Sequence, residues 1–122
     1  MKDLRHIKEV TAQTPQELES ALADNWDWLA EEAPKDYLQN FLVVKRSDGK
    51  GAVIISLAGG NMYAYPCSKD REGFWRTSSA RIKGVTNGCA ICCLKRELSE
   101  YDKESLQIVW ERALKHYERF SH

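Results

Sequence analysis

The stretch "NFLVVKRSDGKGAVIISLAGGNMYAYP", residues 40–66, decides the fold. Its first run, "NFLVVKR", is rich in β-branched and aromatic side chains, which suit a pleated strand. "SDGKG" follows with turn chemistry, since Asp and Gly accept the backbone angles a tight reversal needs. "AVIISLA" then reads as an apolar second strand, so the pair predicts a hairpin. "GGN" turns the chain again, and "MYAYP" predicts a third strand. In it Met62 and Ala64 face one side and Tyr63 and Tyr65 the other.

Upstream, "LRHIKEVTA" can form a first strand, although its alternation is poor. "TPQE" then opens a helix. Thr14 suits the N-cap, Pro15 the first helical position and Glu17 the capping-box position. Leu18, Leu22, Trp26, Leu29 and Ala33 recur on one helical face, and Pro34 ends the pattern, which predicts a helix over about residues 15–32. Downstream, "CSKDREG" is a polar loop and "FWRTSSARIKGVT" looks extended, as one bent or two short strands. Asn87–Gly88 is a strong hairpin signal. If it closes a hairpin, Ile82, Cys89, Ile91 and Cys93 share one mostly apolar face, with Cys92 on the other. Finally Leu106, Val109, Trp110, Ala113, Leu114, Tyr117 and Phe120 recur at helical spacing, capped by Ser99 or Asp102. The sum predicts a single α+β domain over residues 1–122. It has an antiparallel sheet of about four to six strands, with one helix near each end packed on it.

The bulk numbers agree. A chain of 122 residues, 43% hydrophobic and 30% charged, fits one globular domain. It has no apolar run near the roughly 20 residues that span a bilayer, and "MKDLRHIKEV" lacks the apolar stretch of a secretory signal. The expectation is a cytoplasmic protein with no membrane partner and with reduced cysteines. The formal net charge is zero, from 18 basic and 18 acidic residues, but the charge is segregated. Residues 15–44 hold seven acids against Lys35 alone, a balance of −6. Residues 45–96 hold ten bases against Asp48, Asp70 and Glu72, a balance of +7. Such a split governs partner choice and encounter rate rather than fold.

Three of the four cysteines fall in "GCAICC", residues 88–93, and Cys67 stands apart. Cys89-x-x-Cys92 has the spacing of a zinc knuckle, with Cys67 as a third ligand and Cys93, His6 or His116 as a fourth. A second close pair is missing, and adjacent Cys92 and Cys93 point apart on a strand. If residues 89–98 form a helix instead, Cys89 sits at its N-terminus, where a thiol pKa falls. A thioredoxin-like pair, however, follows the first strand of a βαβ unit, and this one lies late in the chain, after antiparallel strands. The favoured reading is cysteine as a small buried hydrophobe, with no cofactor; zinc on Cys67, Cys89 and Cys92 is the alternative.

Two surface constellations remain. Lys69, Arg71, Arg76, Arg81 and Lys83 interleave with Phe74 and Trp75, a pattern that would serve single-stranded nucleic acid. Against it stands a solvated sheet face with one aromatic in the core. Asp24, Asp27, Glu31 and Glu32 surround Trp28, which falls off the Leu18–Trp26–Leu29 stripe. A partly exposed tryptophan among charges resembles a protein-binding hot spot, although it could also widen the core face. No GxxxxGK[ST], GxGxxG, GxSxG or HExxH pattern is present, so nothing marks catalysis. The residues therefore point first to a small binding protein of the adaptor, immunity or anti-defence inhibitor type. It would engage another protein through Trp28, Asp24, Asp27, Glu31 and Glu32. The alternative is a nucleic-acid-binding module using Lys69, Arg71, Trp75, Arg76, Arg81 and Lys83, with or without a cysteine-bound zinc.

Overall fold

The computed structural model describes residues 5–30, 39–58, 61–69, 71, 73, 75–77 and 103–120. The elements run β1 (Arg5–Ala12), α1 (Pro15–Asp24), α2 (Trp26–Ala30), β2 (Gln39–Arg46), β3 (Ala52–Ala58), β4 (Asn61–Lys69), β5 (Trp75–Arg76) and α3 (Lys103–Phe120). The strands form one five-stranded sheet in the order β1-β2-β3-β4-β5. The predicted α+β architecture, with helices near each end packed on a sheet, is what the chain adopts. The Asn87–Gly88 hairpin and the strands expected after Trp75–Arg76 lie outside the described residues.

The sheet is mixed rather than wholly antiparallel. β2, β3, β4 and β5 pair antiparallel in sequence order, with Val43 opposite Ile54 and Ile54 opposite Tyr65. β1 pairs parallel with β2, with Val10 opposite Val44 and Ala12 opposite Arg46. The cause is the connection. Short turns return a chain antiparallel, whereas a long crossover carrying helices lets the next strand run the same way. α1 and α2 occupy the β1–β2 crossover.

The capping box forms as the residues require. Thr14 Oγ1 accepts from the Glu17 N–H at 3.1 Å, and the Glu17 carboxylate accepts from the Gln13 N–H at 3.0 Å. The helix expected over about 15–32 breaks at Asn25. There the Asn25 side-chain amide donates to the Ala21 carbonyl at 2.8 Å, as does its own backbone N–H at 3.2 Å. This local competition for a helical acceptor interrupts the regular ladder, and α2 restarts at Trp26.

The sheet is buried on both faces. Leu42, Val44, Val53, Ile55, Met62 and Ala64 join Leu18, Leu22, Leu29, Leu106, Val109, Trp110 and Ala113 in the main core under the helices. Phe41, Val43, Ala52, Ile54, Tyr65 and Cys67 form a second buried cluster on the other face. Hence "AVIISLA" is apolar at every position but Ser56, because neither face of β3 meets water. α3 lies close on the β2–β3 turn. A Cβ on Gly51, which has φ +133°, would stand 2.6 Å from the Ala113 carbonyl oxygen. No helix among the described residues is long and apolar enough to cross a membrane.

Candidate functional site: a basic cleft at the sheet end

The β2–β3 turn is built by Asp48. Its carboxylate accepts the Lys50 N–H at 2.8 Å and the Arg46 guanidinium at 2.9–3.3 Å. These donors, Arg46 first, hold the Asp48 carboxyl below its ordinary range against the small opposing effect of burial. Arg46 also lies 5.2 Å from the Trp110 ring centroid and donates to the Trp110 carbonyl at 3.5 Å. Arg46 therefore fixes α3 to the turn, and its donors are committed to that task.

Beside this turn opens a cleft of about 420 Å³. Lys45 and Arg46 enter it from β2, Ser68 and Lys69 from β4, Trp75 from β5 and Tyr117 from α3. Its lining carries three cations and, among the described residues, no carboxylate. The register explains the opening. Lys45 and Cys67 both pair with Ala52 of the intervening β3, so Lys45 and the end of β4 sit two strand spacings apart, about 10 Å. Only Gly51 and Ala52, which carry little or no side chain, lie between them.

Glu9 of β1 organises the cations from beside the cleft. It takes the Lys45 ammonium at 3.2 Å and the Trp75 indole N–H at 3.4 Å. Burial pushes the Glu9 carboxyl up, but the bonds from Lys45 and Trp75 with the nearby Lys69 charge outweigh it, and its pKa is lowered. Lys69 Nζ lies 5.2 Å from the Trp75 ring centroid. The Lys45–Glu9 pair is about 40% exposed, with side chains at 43% and 34%, so it contributes about 0–1 kcal/mol. An incoming anion can compete for Lys45 at small cost.

Ser68 differs from the other lining residues. It is 3% exposed, and its Oγ is buried with no hydrogen-bond partner among the described residues. Buried hydroxyls are normally satisfied, and an unsatisfied one costs about 1–3 kcal/mol.

Comparison with protein-family models, with curated proteins and with solved structures found no match.

The sequence-predicted residues distribute as follows. Lys69, Trp75 and Arg76 come together at the β4–β5 pair, with Ser68 opposite Arg76 and Lys69 opposite Trp75, and Arg71 is exposed nearby in sequence. Arg81 and Lys83 lie outside the described residues. Trp28 is half-buried and packs against the main core, with Lys8 Nζ 5.4 Å from its ring centroid. Its carbonyl accepts from the Asn40 side chain at 2.8 Å. Asp24 and Asp27 are exposed, and Glu31 and Glu32 lie outside the described residues. Cys67 is fully buried in the second cluster, where burial pushes its thiol pKa well up. Cys89, Cys92 and Cys93 lie outside the described residues, and among those described no group of three or more His, Cys, Asp or Glu is placed to hold a metal. Lys45, Ser68 and Tyr117 were missed. They belong to strands and a helix whose periodicity explains them as structural, and nothing local signals that their ends meet.

Proposed function

We propose that the chain is a binding protein that takes a phosphate-bearing single strand of nucleic acid on the basic cleft. The observation that carries this reading is the lining itself, three cations with an aromatic and hydroxyls and, among the described residues, no carboxylate other than Glu9 standing beside it on Lys45. Lys45 and Lys69 meet backbone phosphates, and each neutralised phosphate releases counterions. Trp75, held by Glu9 through its indole N–H, offers a ring for a base to stack on, a contact worth about 1–3 kcal/mol. Arg46 holds the wall of the cleft. The setting is the cytoplasm, where cysteines stay reduced.

The test is fluorescence anisotropy with a labelled short oligonucleotide. Lys45→Glu with Lys69→Glu should weaken binding at least tenfold and flatten its salt dependence. Unchanged affinity in that variant would sink the reading.

A second reading is supported by the exposed Asp24 and Asp27 beside half-buried Trp28. Here the acidic α1–α2 side, with Glu31 and Glu32 next in sequence, engages another protein in the manner of an adaptor or inhibitor. Trp28→Ala should then weaken a captured partner by about 2 kcal/mol or more. A cysteine-bound zinc is the weaker variant of the nucleic-acid reading. It would draw on Cys67, which is buried in the second cluster, together with Cys89 and Cys92. Elemental analysis of protein purified without added metal should show well below one zinc per chain.

A further inference from the structure

We infer that Glu9 is a specificity-determining residue of the cleft, its carboxylate accepting the exocyclic amino group of a base stacked on Trp75, so that cytosine is preferred to thymine. The inference rests on the cleft reading above and adds which base the cleft selects. The register sets the groups together. Glu9 stands opposite Val43, Lys45 opposite Ala52, Ala52 in turn opposite Cys67, and Trp75 opposite Lys69, the second residue after Cys67. Val43, Ala52 and Cys67 belong to the second cluster, so Glu9, Lys45, Lys69 and Trp75 all stand on that face of the sheet. β1 and β5 are the outer strands, and four strand spacings would hold them roughly 19 Å apart in a flat sheet. The Glu9–Trp75 contact at 3.4 Å therefore requires the sheet to curl toward this face.

Each oxygen of Glu9 has a partner in the free protein. Oε2 accepts from the Trp75 indole N–H, and Oε1 takes the Lys45 ammonium at 3.2 Å. The first bond pins the carboxylate at the edge of the Trp75 ring, within reach of the rim of a stacked base. Lys69 lies over that ring and is exposed, so it can move to a phosphate and leave the ring face to the base. When a phosphate also draws Lys45 away, Oε1 loses that partner and needs a donor. Burial pushes the Glu9 carboxyl up, but the Lys45 and Trp75 bonds and the Lys69 charge outweigh it, so the group is ionised at neutral pH. An ionised carboxylate only accepts. Cytosine offers it an amino group, whereas thymine presents a carbonyl oxygen at that place, which a carboxylate repels. Asp48, the acid of the neighbouring turn, is already occupied by Arg46 and Lys50.

Anisotropy at neutral pH with short single strands of cytosine only and of thymine only reads the preference as a ratio of dissociation constants. The wild type should favour cytosine about fivefold or more, the scale of one base-edge hydrogen bond. Glu9→Gln keeps an oxygen for the Trp75 indole and adds an amide donor that suits a thymine carbonyl. It should bring the ratio to parity or invert it, by weakening the cytosine strand and strengthening the thymine strand. A ratio is insensitive to a fraction of unfolded protein, which lowers both affinities alike. A Glu9 that only holds Trp75 or only neutralises Lys45 would shift both strands together, and a ratio left as in the wild type overturns the inference. So does a wild type that binds both strands equally; if Lys45→Glu with Lys69→Glu then abolishes that binding, only the base selection fails. Cytidine and uridine monophosphates repeat the comparison without a strand. If neither strand binds and cytidine monophosphate is favoured in a Glu9-dependent way, only the strand reading fails. If no probe binds, both fall.

Discussion

Gly51 shows how much one hydrogen atom in place of a methyl group decides. Its φ of +133° disfavours an L side chain, and a Cβ would meet the Ala113 carbonyl at 2.6 Å. Gly51→Ala should therefore push α3 off the turn and cost about 1–3 kcal/mol in denaturant unfolding. Gly49, with φ +74° and open space around it, should cost less, because only backbone strain acts there. His116 makes a different prediction. It is buried, and its Nε2 bonds the Arg76 carbonyl at 3.1 Å, which ties α3 to β5. Burial lowers its pKa below 6.5; the Arg76 carbonyl opposes this, and the Arg76 and Arg119 charges add to it. A depressed histidine pKa means the unfolded chain takes up the proton first. Stability is therefore full above 6.5 and falls as the pH drops from there toward the folded-state pKa. Melting temperature followed against pH should show this loss, and His116→Gln should remove that part of it. The serine of the cleft and the cysteine of the second cluster were both visible in the sequence as residue types. Their environments were not, because burial and unsatisfied bonding are properties of what surrounds a residue.

Among the elements, α3 carries the clearest sequence signal. Leu106, Val109, Trp110 and Ala113 are buried as the spacing predicts, and Leu114 and Tyr117 are half-buried. Trp110 fills the main core and also lies under the Arg46 guanidinium. Trp110→Ala should cost about 3–5 kcal/mol, measured by urea unfolding. A loss below about 1 kcal/mol would mean that the helix does not dock. The α1 capping box was equally legible, because its bonds span four residues at most. The break at Asn25 was not anticipated, although its cause is local. Asparagine competes for backbone acceptors, and the apolar stripe on either side masks that competition. β1 is the opposite case. Its weak alternation reflects an edge strand, with Lys8 and Glu9 exposed and Val10 and Ile7 packed against different clusters. No pattern within β1 states that its partner runs parallel to it.

For the whole molecule, charge is the property that links fold to encounter. Residues 45–96 carry the +7 balance, and from this part come the cleft residues Lys45, Arg46 and Lys69 and the exposed Lys50 and Arg71. Lys50→Glu with Arg71→Glu, outside the cleft lining, should slow association with a single strand while leaving dissociation nearly unchanged, as stopped-flow measurement would show. An equal slowing and loosening would make those residues direct contacts. Read along the chain, the residues by themselves determined the element types, the three-strand run of residues 40–66, the capped helix start and the buried stripe of α3. Each is written in periodicity or in bonds a few residues long, so local steric and hydrophobic rules suffice. Only the tertiary structure decided that β1 pairs parallel to β2, that both sheet faces are buried, that Trp28 leans on the core and that Lys45, Ser68, Lys69, Trp75 and Tyr117 surround one cleft. Those outcomes depend on which distant segments meet. That choice is made by burying the most apolar surface within the reach of the connections, a balance taken over the whole chain and not over any window of it.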